Sequence, residues 1–186
     1  MNEVEQAAHE AIGREEYDLA VQLLRGPADS GSAEAQYLLG YLYFTSADVD
    51  PAESRQWFER AAAQQHAEAL FHLSNWHDDG TTGPPDTEHR RTLLVRAAEL
   101  GLLQAQRDLG CYYAIGEGGF PLDLRLGRMW YSRAAKRGHA DAQYNYGLMV
   151  IGGEGGPADR RSGLEWVRRA AAQNDEAALH YLSLDK

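Results

Sequence analysis

The 186-residue sequence predicts an all-α solenoid, in which antiparallel helix pairs stack along a single domain, residues 1–186. The first observation is an internal repeat. One alanine recurs at spacings of 34, 36, 37 and 36 residues, at Ala35, Ala69, Ala105, Ala142 and Ala178. The second is that each full copy ends in an alanine pair before a small or polar residue, such as Ala134-Ala135 before Gly138. Self-similarity at a period of about 20–50 residues is typical of repeat proteins.

The predicted elements follow in order. Residues 2–12 and 15–25 predict two short helices, stopped at Gly26-Pro27, which form an N-terminal cap over 1–31 with a polar outer face. Four repeats follow at 32–65, 66–101, 102–138 and 139–174. Each holds an A helix (33–45, 67–78, 103–114, 140–151) and a B helix (51–64, 86–100, 124–137, 160–173). Residues 175–186 predict a last A helix that closes the stack.

Within each repeat, small and large residues recur at fixed places. Five residues after each alanine stands a small residue, which lets neighbouring helices approach: Gly40, Ser74, Gly110, Gly147 and Ser183. Four residues before each alanine pair stands a large one, which we interpret as a core wedge: Trp57, Leu93, Trp130 and Trp166. The turns 116–119 and 153–156 predict glycines with positive φ, and Asp123 and Asp159 predict helix N-caps.

In these residues the chain resembles the Sel-one-like repeat family, relatives of the tetratricopeptide solenoids. The third repeat carries the family pattern at Ala105, Leu109-Gly110, Tyr113, Gly116, Gly118, Asp123, Trp130, Ala134-Ala135 and Gly138. The first two repeats match less well, because their turns depart from this glycine pattern. The resemblance implies a right-handed α/α superhelix used as a scaffold for protein partners, with structural motif residues and no catalytic residue to carry over.

The composition indicates in which compartment the protein acts and which classes of partner it binds. Residues 1–89 hold 17 Asp/Glu against 4 Lys/Arg, whereas residues 90–186 hold 11 against 14. The sequence shows no basic, apolar leader, no apolar run long enough for a membrane span, and one cysteine, Cys111, which has no partner for an internal disulfide. We therefore expect a cytoplasmic monomer that binds neither membranes nor nucleic acid, although the B helices carry arginine pairs.

The sequence contains no motif that indicates catalysis or metal binding. Hydrolase and zinc signatures are missing from the sequence. The nearest approach to a metal cluster is His72 and His77 beside Asp78-Asp79, but two side chains five residues apart on a helix diverge. We therefore expect no metal, no cofactor and no enzymatic activity.

The A helices give the candidate binding residues. Positions two, six and nine after each alanine lie away from the inward face and predict the wall of a concave groove. They include Tyr37, Tyr41, Phe44, Phe71, Asn75, Asp78, Arg107, Cys111, Tyr144 and Leu148, with His180 in the closing helix. Aromatic side chains beside Asn, Asp and Arg are typical of protein-binding surfaces. The alternative is that these rings pack against neighbouring A helices or turns.

The sequence therefore predicts a scaffold or adaptor that holds a protein or peptide in this groove. Two alternatives stay open. A compact chain with an acidic first half, of balance −13 over residues 1–89, would also suit a dedicated neutraliser of one basic toxin or effector. A hydrolase would need a set of catalytic residues that the sequence does not bring together.

Overall fold

A computed structural model describes residues 3–45, 51–76 and 87–185. Every regular element in these ranges is a helix. The helices are α1 (Glu3–Gly13), α2 (Tyr17–Asp29), α3 (Ala33–Thr45), α4 (Pro51–Ala63), α5 (Ala67–Ser74), α6 (Thr87–Glu99), α7 (Leu103–Ile115), α8 (Leu124–Lys136), α9 (Ala140–Gly152), α10 (Arg160–Ala171) and α11 (Glu176–Leu184). Among the described helices, none is both long enough and apolar enough to cross a membrane. The all-α repeat fold predicted from the sequence is confirmed.

The helices form two compact units. Unit 1, residues 1–85, contains α1 to α5, and unit 2, residues 86–186, contains α6 to α11. Leu24, Leu39 and Phe58 are fully buried in unit 1, as Leu109 and Val167 are in unit 2. Each unit therefore has its own apolar core.

The small residues let A and B helices pack closely. A Cβ atom on Gly40 of α3 would lie 2.8 Å from the Phe58 ring of α4, and one on Gly110 of α7 would lie 2.6 Å from the Tyr131 ring of α8. Real Cβ atoms do not approach a ring so closely, because the repulsion is too steep. A large flat side chain on the B helix therefore rests directly on the backbone of the A helix.

A buried glutamine joins each of three A helices to the preceding B helix. Its Nε2 donates to a helix-end carbonyl at 2.9–3.1 Å in the pairs Gln36 to Ala28, Gln106 to Ala98 and Gln143 to Ala135. Each of these carbonyls also accepts a backbone N–H of the following turn, so the glutamine supplies a second donor to a helix-end carbonyl. These bonds were not predicted, although Ala-Gln recurs in the sequence at all three places.

The predicted caps and turn glycines are confirmed. The Asp123 carboxylate accepts the backbone N–H groups of Arg125 and Leu126 at 2.9 and 3.0 Å, and Asp159 accepts that of Ser162 at 3.0 Å. Gly116 and Gly153 end α7 and α9 with φ of +73° and +76°. Each A helix of these two repeats therefore stops at a left-handed glycine, and the next B helix starts at a carboxylate.

The predicted stop at Gly26-Pro27 is wrong. Helix α2 continues to Asp29 with Pro27 inside it. Proline removes the backbone donor that would otherwise bond to the carbonyl of Leu23, so the extra turn forms despite a lost helix hydrogen bond. Ala28 is buried, and its carbonyl accepts Gln36, which favours the extra turn.

Candidate functional site

Three aromatic side chains of α3 share one helical face in unit 1. Tyr37, Tyr41 and Phe44 are spaced so that each lies about one turn from the next. All three contact His72 of α5, with ring centroids 5.9, 5.9 and 5.8 Å away, and Phe44 also lies 5.6 Å from Trp76. We call these five side chains the α3–α5 ring surface.

A buried ring supports this surface from below. Phe58 of α4 is fully buried and stacks parallel to His72, with centroids 4.8 Å apart and planes 4° apart. Burial lowers the pKa of His72, and a smaller effect of Glu68 opposes it. His72 is therefore neutral at pH 7, and it packs as a flat apolar group between the α3 rings and the core.

Two of the three α3 rings remain open to solvent. Tyr41 is 39% exposed and Phe44 is 54% exposed, whereas Tyr37 is half-buried. The equivalent positions on α7 are Cys111 and Ala114, which are small and half-buried. The exposed aromatic area thus depends on residues specific to the first repeat rather than on the repeat pattern itself.

Acidic and imidazole groups border the ring surface near the start of α3. Glu34 lies 3.0 Å from His66 Nε2 and 3.1 Å from His9 Nε2 through its two oxygens. The hydrogen bond from His66 is the main reason why the pKa of Glu34 is lowered. His66 Nδ1 lies 3.4 Å from a carboxylate oxygen of Glu68, outside hydrogen-bonding geometry.

Tyr37 connects the acidic border to the rings. It stacks on His66 with centroids 4.6 Å apart. Burial, and then the nearby Glu68, Tyr41 and Glu34, raise the pKa of Tyr37 to about 12. Its hydroxyl is therefore protonated at neutral pH and remains a hydrogen-bond donor beside two carboxylates.

Unit 1 is strongly acidic as a whole. Residues 1–85 contain 15 Asp/Glu and 4 Lys/Arg, a balance of −11 in a chain whose total is −10. The ring surface is therefore an apolar area in a negative field, which attracts cationic groups.

The other predicted site residues of unit 1 lie at the edge of this surface. Phe71 is half-buried, with its ring 6.4 Å from that of His72. Asn75 is half-buried and ends α5, where its backbone N–H donates to the Phe71 carbonyl at 3.1 Å. Asp78 lies outside the described residues. Sequence reasoning missed His72 and Trp76 as parts of the surface and His66 beside it, because their contacts come from the next repeat.

In unit 2 the residues two positions after the recurring alanines Ala105 and Ala142 contact the following repeat. Arg107 of α7 forms ion pairs with Asp141 of α9 and, at 2.9 Å, with Asp108. The ring of Tyr144 lies 6.4 Å from that of Tyr181 in α11. At these positions the structure thus shows packing between repeats.

The remaining predicted residues of unit 2 differ in exposure. Cys111 is a half-buried free thiol that packs against the cluster around Tyr131. Leu148 packs against the buried Val167 cluster, whereas His180 is exposed on α11. These side chains do not form one surface with a shared chemistry.

In the described part of the chain, the histidines in and beside the ring surface form no metal centre. Within residues 3–45, 51–76 and 87–185, no three His, Cys, Asp or Glu side chains are placed to hold a metal ion. His72 is packed among aromatic rings instead. His77, Asp78 and Asp79 lie outside those ranges.

Comparison with known proteins gives one family for most of the chain. The Sel1 repeat model matches residues 33–66, 67–102, 103–139 and 140–175. Chitin synthase regulatory factor 3 of Schizosaccharomyces pombe is 34% identical over 127 residues, which are 66% of this chain and 14% of that protein.

Two solved structures share the fold. A Sel1 repeat protein from Oxalobacter formigenes superposes with a TM-score of 0.82 at 29% identity, over 90% of this chain and 49% of that one. A protective antigen of uropathogenic Escherichia coli, described as displaying an SLR fold, gives a TM-score of 0.78 at 31% identity, over 87% of this chain and 35% of that one. The chain thus spans half or less of each of these three similar proteins.

Proposed function

The chain belongs to the Sel1 repeat family, and we propose that it is a non-catalytic protein-binding module whose α3–α5 ring surface binds a basic, partly apolar segment of a partner protein. Sel1 repeat proteins generally mediate protein–protein interactions. The similar protein from Schizosaccharomyces pombe is named as a regulatory factor. We propose that this chain, too, acts on a protein partner rather than on a substrate.

The observation that carries the proposal is the exposure of Tyr41 and Phe44 on a rigid base. An aromatic ring gains free energy when a partner covers it, and it loses little conformational entropy when its neighbours already hold it. Tyr41 and Phe44 are held by His72, which Phe58 supports. Such preorganised aromatic side chains are typical of residues that dominate binding free energy.

The charge of unit 1 favours a basic partner. The side chains of Glu34 and Glu68, beside the rings, are 36% and 47% exposed. A lysine or arginine of the partner could contact these carboxylates or lie over an exposed ring face, an interaction worth about 0.5–1 kcal/mol at exposed sites. The partner segment we propose therefore carries apolar side chains together with lysine or arginine.

Site-specific photocrosslinking tests this function. A benzoylphenylalanine placed at Phe44 is expected to form an adduct with a partner in the native lysate, because this side chain is 54% exposed on the ring surface. The matched control places the same group at Ile115 of α7, which is 53% exposed and outside that surface. Adducts of equal yield at both positions, or a captured partner that crosslinks only at Ile115, would show that the ring surface is not the contact.

A second candidate function rests on the same acidity. With a balance of −11 over residues 1–85, unit 1 would also suit a dedicated neutraliser of one basic toxin or effector. Such a neutraliser would give a single adduct of one-to-one stoichiometry, whereas a scaffold would give several. We propose a cytoplasmic setting for either function, since Cys111 is a free thiol.

A further inference from the structure

A tryptophan and an arginine stack on three of the B helices. The guanidinium carbon lies over the indole ring, at centroid distances of 4.5, 4.4 and 4.3 Å, in the pairs Arg60–Trp57, Arg133–Trp130 and Arg169–Trp166. The arginine follows the tryptophan by three residues each time and covers its ring. Because all three helices share the stack, the stack itself is a feature of the fold.

The charge around the stack differs between the units. Helix α4 of unit 1 carries two acidic and two basic side chains, a balance of zero. Helix α8 of unit 2 carries four basic side chains and no acid, and α10 carries four and a single glutamate. Since α4 forms the same stack without excess charge, packing does not require the positive charge of α8 and α10. A helix dipole would favour a cation in each last turn, as Arg60 provides on α4.

Four cations of these two helices remain available to a ligand. Arg133, Lys136, Arg168 and Arg169 are exposed, and within the described part of the chain they form no ion pair with a carboxylate. Three other arginines of α8 and α10 are engaged by carboxylates or carbonyls. One example is Arg128, which donates to the carbonyls of Glu154 and Pro157 at 3.1 and 3.0 Å.

A chain of hydrogen bonds places the ends of α8 and α10 side by side. Gln143 donates to the carbonyl of Ala135 at the end of α8, at 3.1 Å. Its Oε1 accepts the side chain of Gln173, just after α10, at 2.8 Å. The four cations lie in or directly beside the last turns of these helices. We call these four side chains at the two linked helix ends the α8–α10 basic surface.

We propose that the α8–α10 basic surface binds an acidic, Asp/Glu-rich segment of a second protein partner. Arg133 and Arg169 are held by their indole rings, so that less side-chain entropy is lost when their N–H groups donate to a carboxylate. Arginine can bind a carboxylate through two parallel hydrogen bonds, which lysine cannot. This proposal is independent of the ring surface of unit 1.

The total charge of the chain favours a short acidic segment over larger polyanions. The chain carries −10 overall, so its long-range field repels an extended anionic polymer or bilayer. Charges beyond a Debye length of about 8 Å are largely screened at physiological ionic strength. A short acidic segment can therefore meet the local positive patch, whereas nucleic acid or an anionic membrane needs positive charge over a larger area than two helix ends provide.

Fluorescence anisotropy of the full chain with defined probes tests the proposal. The probes are a labelled peptide of alternating glutamate and glycine, its glutamine counterpart, a single-stranded DNA oligonucleotide, and vesicles containing phosphatidylserine. We expect binding of the glutamate peptide only, weakened by salt. Arg133→Glu/Arg169→Glu should lose roughly tenfold or more of this affinity. Arg60→Glu, the matched control on α4, should leave it unchanged.

A charge-conserving variant separates recognition from bulk charge. Arg133→Lys/Arg169→Lys keeps the net charge but loses the stacked, planar donor group, and we expect about a fivefold loss. It also keeps the test valid if circular dichroism shows that the charge-reversal variant Arg133→Glu/Arg169→Glu folds poorly. Equal losses in Arg60→Glu, full affinity in either double variant, or tighter binding of DNA or vesicles would overturn the proposal. Reversible self-association in sedimentation, lost in the double variants, would reassign the surface to a second copy of the chain.

Discussion

Gly40→Ala tests whether helix packing holds the ring surface in place. Phe58 lies between Gly40 of α3 and His72 of α5. A Cβ atom on Gly40 would lie 2.8, 3.0 and 3.1 Å from three atoms of the Phe58 ring, and the His72 ring stacks on Phe58 with centroids 4.8 Å apart. To reach an ordinary contact the Phe58 ring must move by several tenths of an ångström, toward His72. The substitution should therefore disturb both the core and the binding surface.

The magnitude follows from two opposing effects. Overpacking a core costs about 1–3 kcal/mol, and replacing glycine by alanine inside a helix gains up to about 1 kcal/mol. We expect a net destabilisation of roughly 0.5–2 kcal/mol, which lowers the melting temperature of a chain of this size by about 2–4 °C per kcal/mol. Gly13→Ala at the end of α1 is the control. With no atom within 4 Å of the new Cβ, it should be neutral or slightly stabilising.

Circular dichroism melts and urea titrations of both variants measure this effect. Adding Phe58→Leu should relieve part of the overpacking, so that the double variant is less destabilised than the sum of the two single changes. If Gly40→Ala is as stable as the wild type, or if the two changes are strictly additive, the glycine does not make room for the Phe58 ring. The account of how the ring surface is supported would then be wrong.

Three further predictions concern single side chains. Trp130→Ala should cost about 3–5 kcal/mol in urea unfolding, because the indole is only 5% exposed, whereas Leu122→Ala, 64% exposed, should stay within about 0.5 kcal/mol. Asp123→Ala should cost about 1 kcal/mol in the same assay, since two backbone N–H groups lose their acceptor. The pKa of His72 lies below the unfolded value of about 6.5, so the unfolded chain takes up this proton first as the pH falls. Its contribution to stability should be complete above about pH 6.5 and decrease below it. His72→Phe should flatten melting temperature against pH between about pH 7 and pH 5.5, and an unchanged slope would count against a buried neutral imidazole.

The repeat pattern predicted the helices, the close approach at Gly40 and Gly110, and the caps at Asp123 and Asp159. These features depend on residues within one repeat, whose spacing the sequence displays directly. The predicted end of α2 at Gly26-Pro27 was wrong, because a tertiary hydrogen bond from Gln36 outweighed the local signal of the proline.

Contacts between repeats could not be read from the sequence. Tyr37 stacks on His66, and Arg107 pairs with Asp141 of the next repeat. Such pairs depend on the rise and rotation from one repeat to the next, which periodicity alone does not specify. For the same reason the sequence identified Tyr41 and Phe44 as candidates but did not show that His72 would support them.

The central claim is that the exposed rings of α3 bind a basic partner. Titration calorimetry with the purified partner, once photocrosslinking has identified it, tests this claim most directly. Tyr41→Ala/Phe44→Ala should weaken binding by roughly thirtyfold to several hundredfold, because exposed aromatic anchors each contribute on the order of 1–2 kcal/mol. The same variant should keep its helicity and unfold cooperatively, and Ile115→Ala should bind as the wild type does. Added salt should weaken wild-type binding, since unit 1 carries a balance of −11. Unchanged affinity in the folded double variant would contradict the claim.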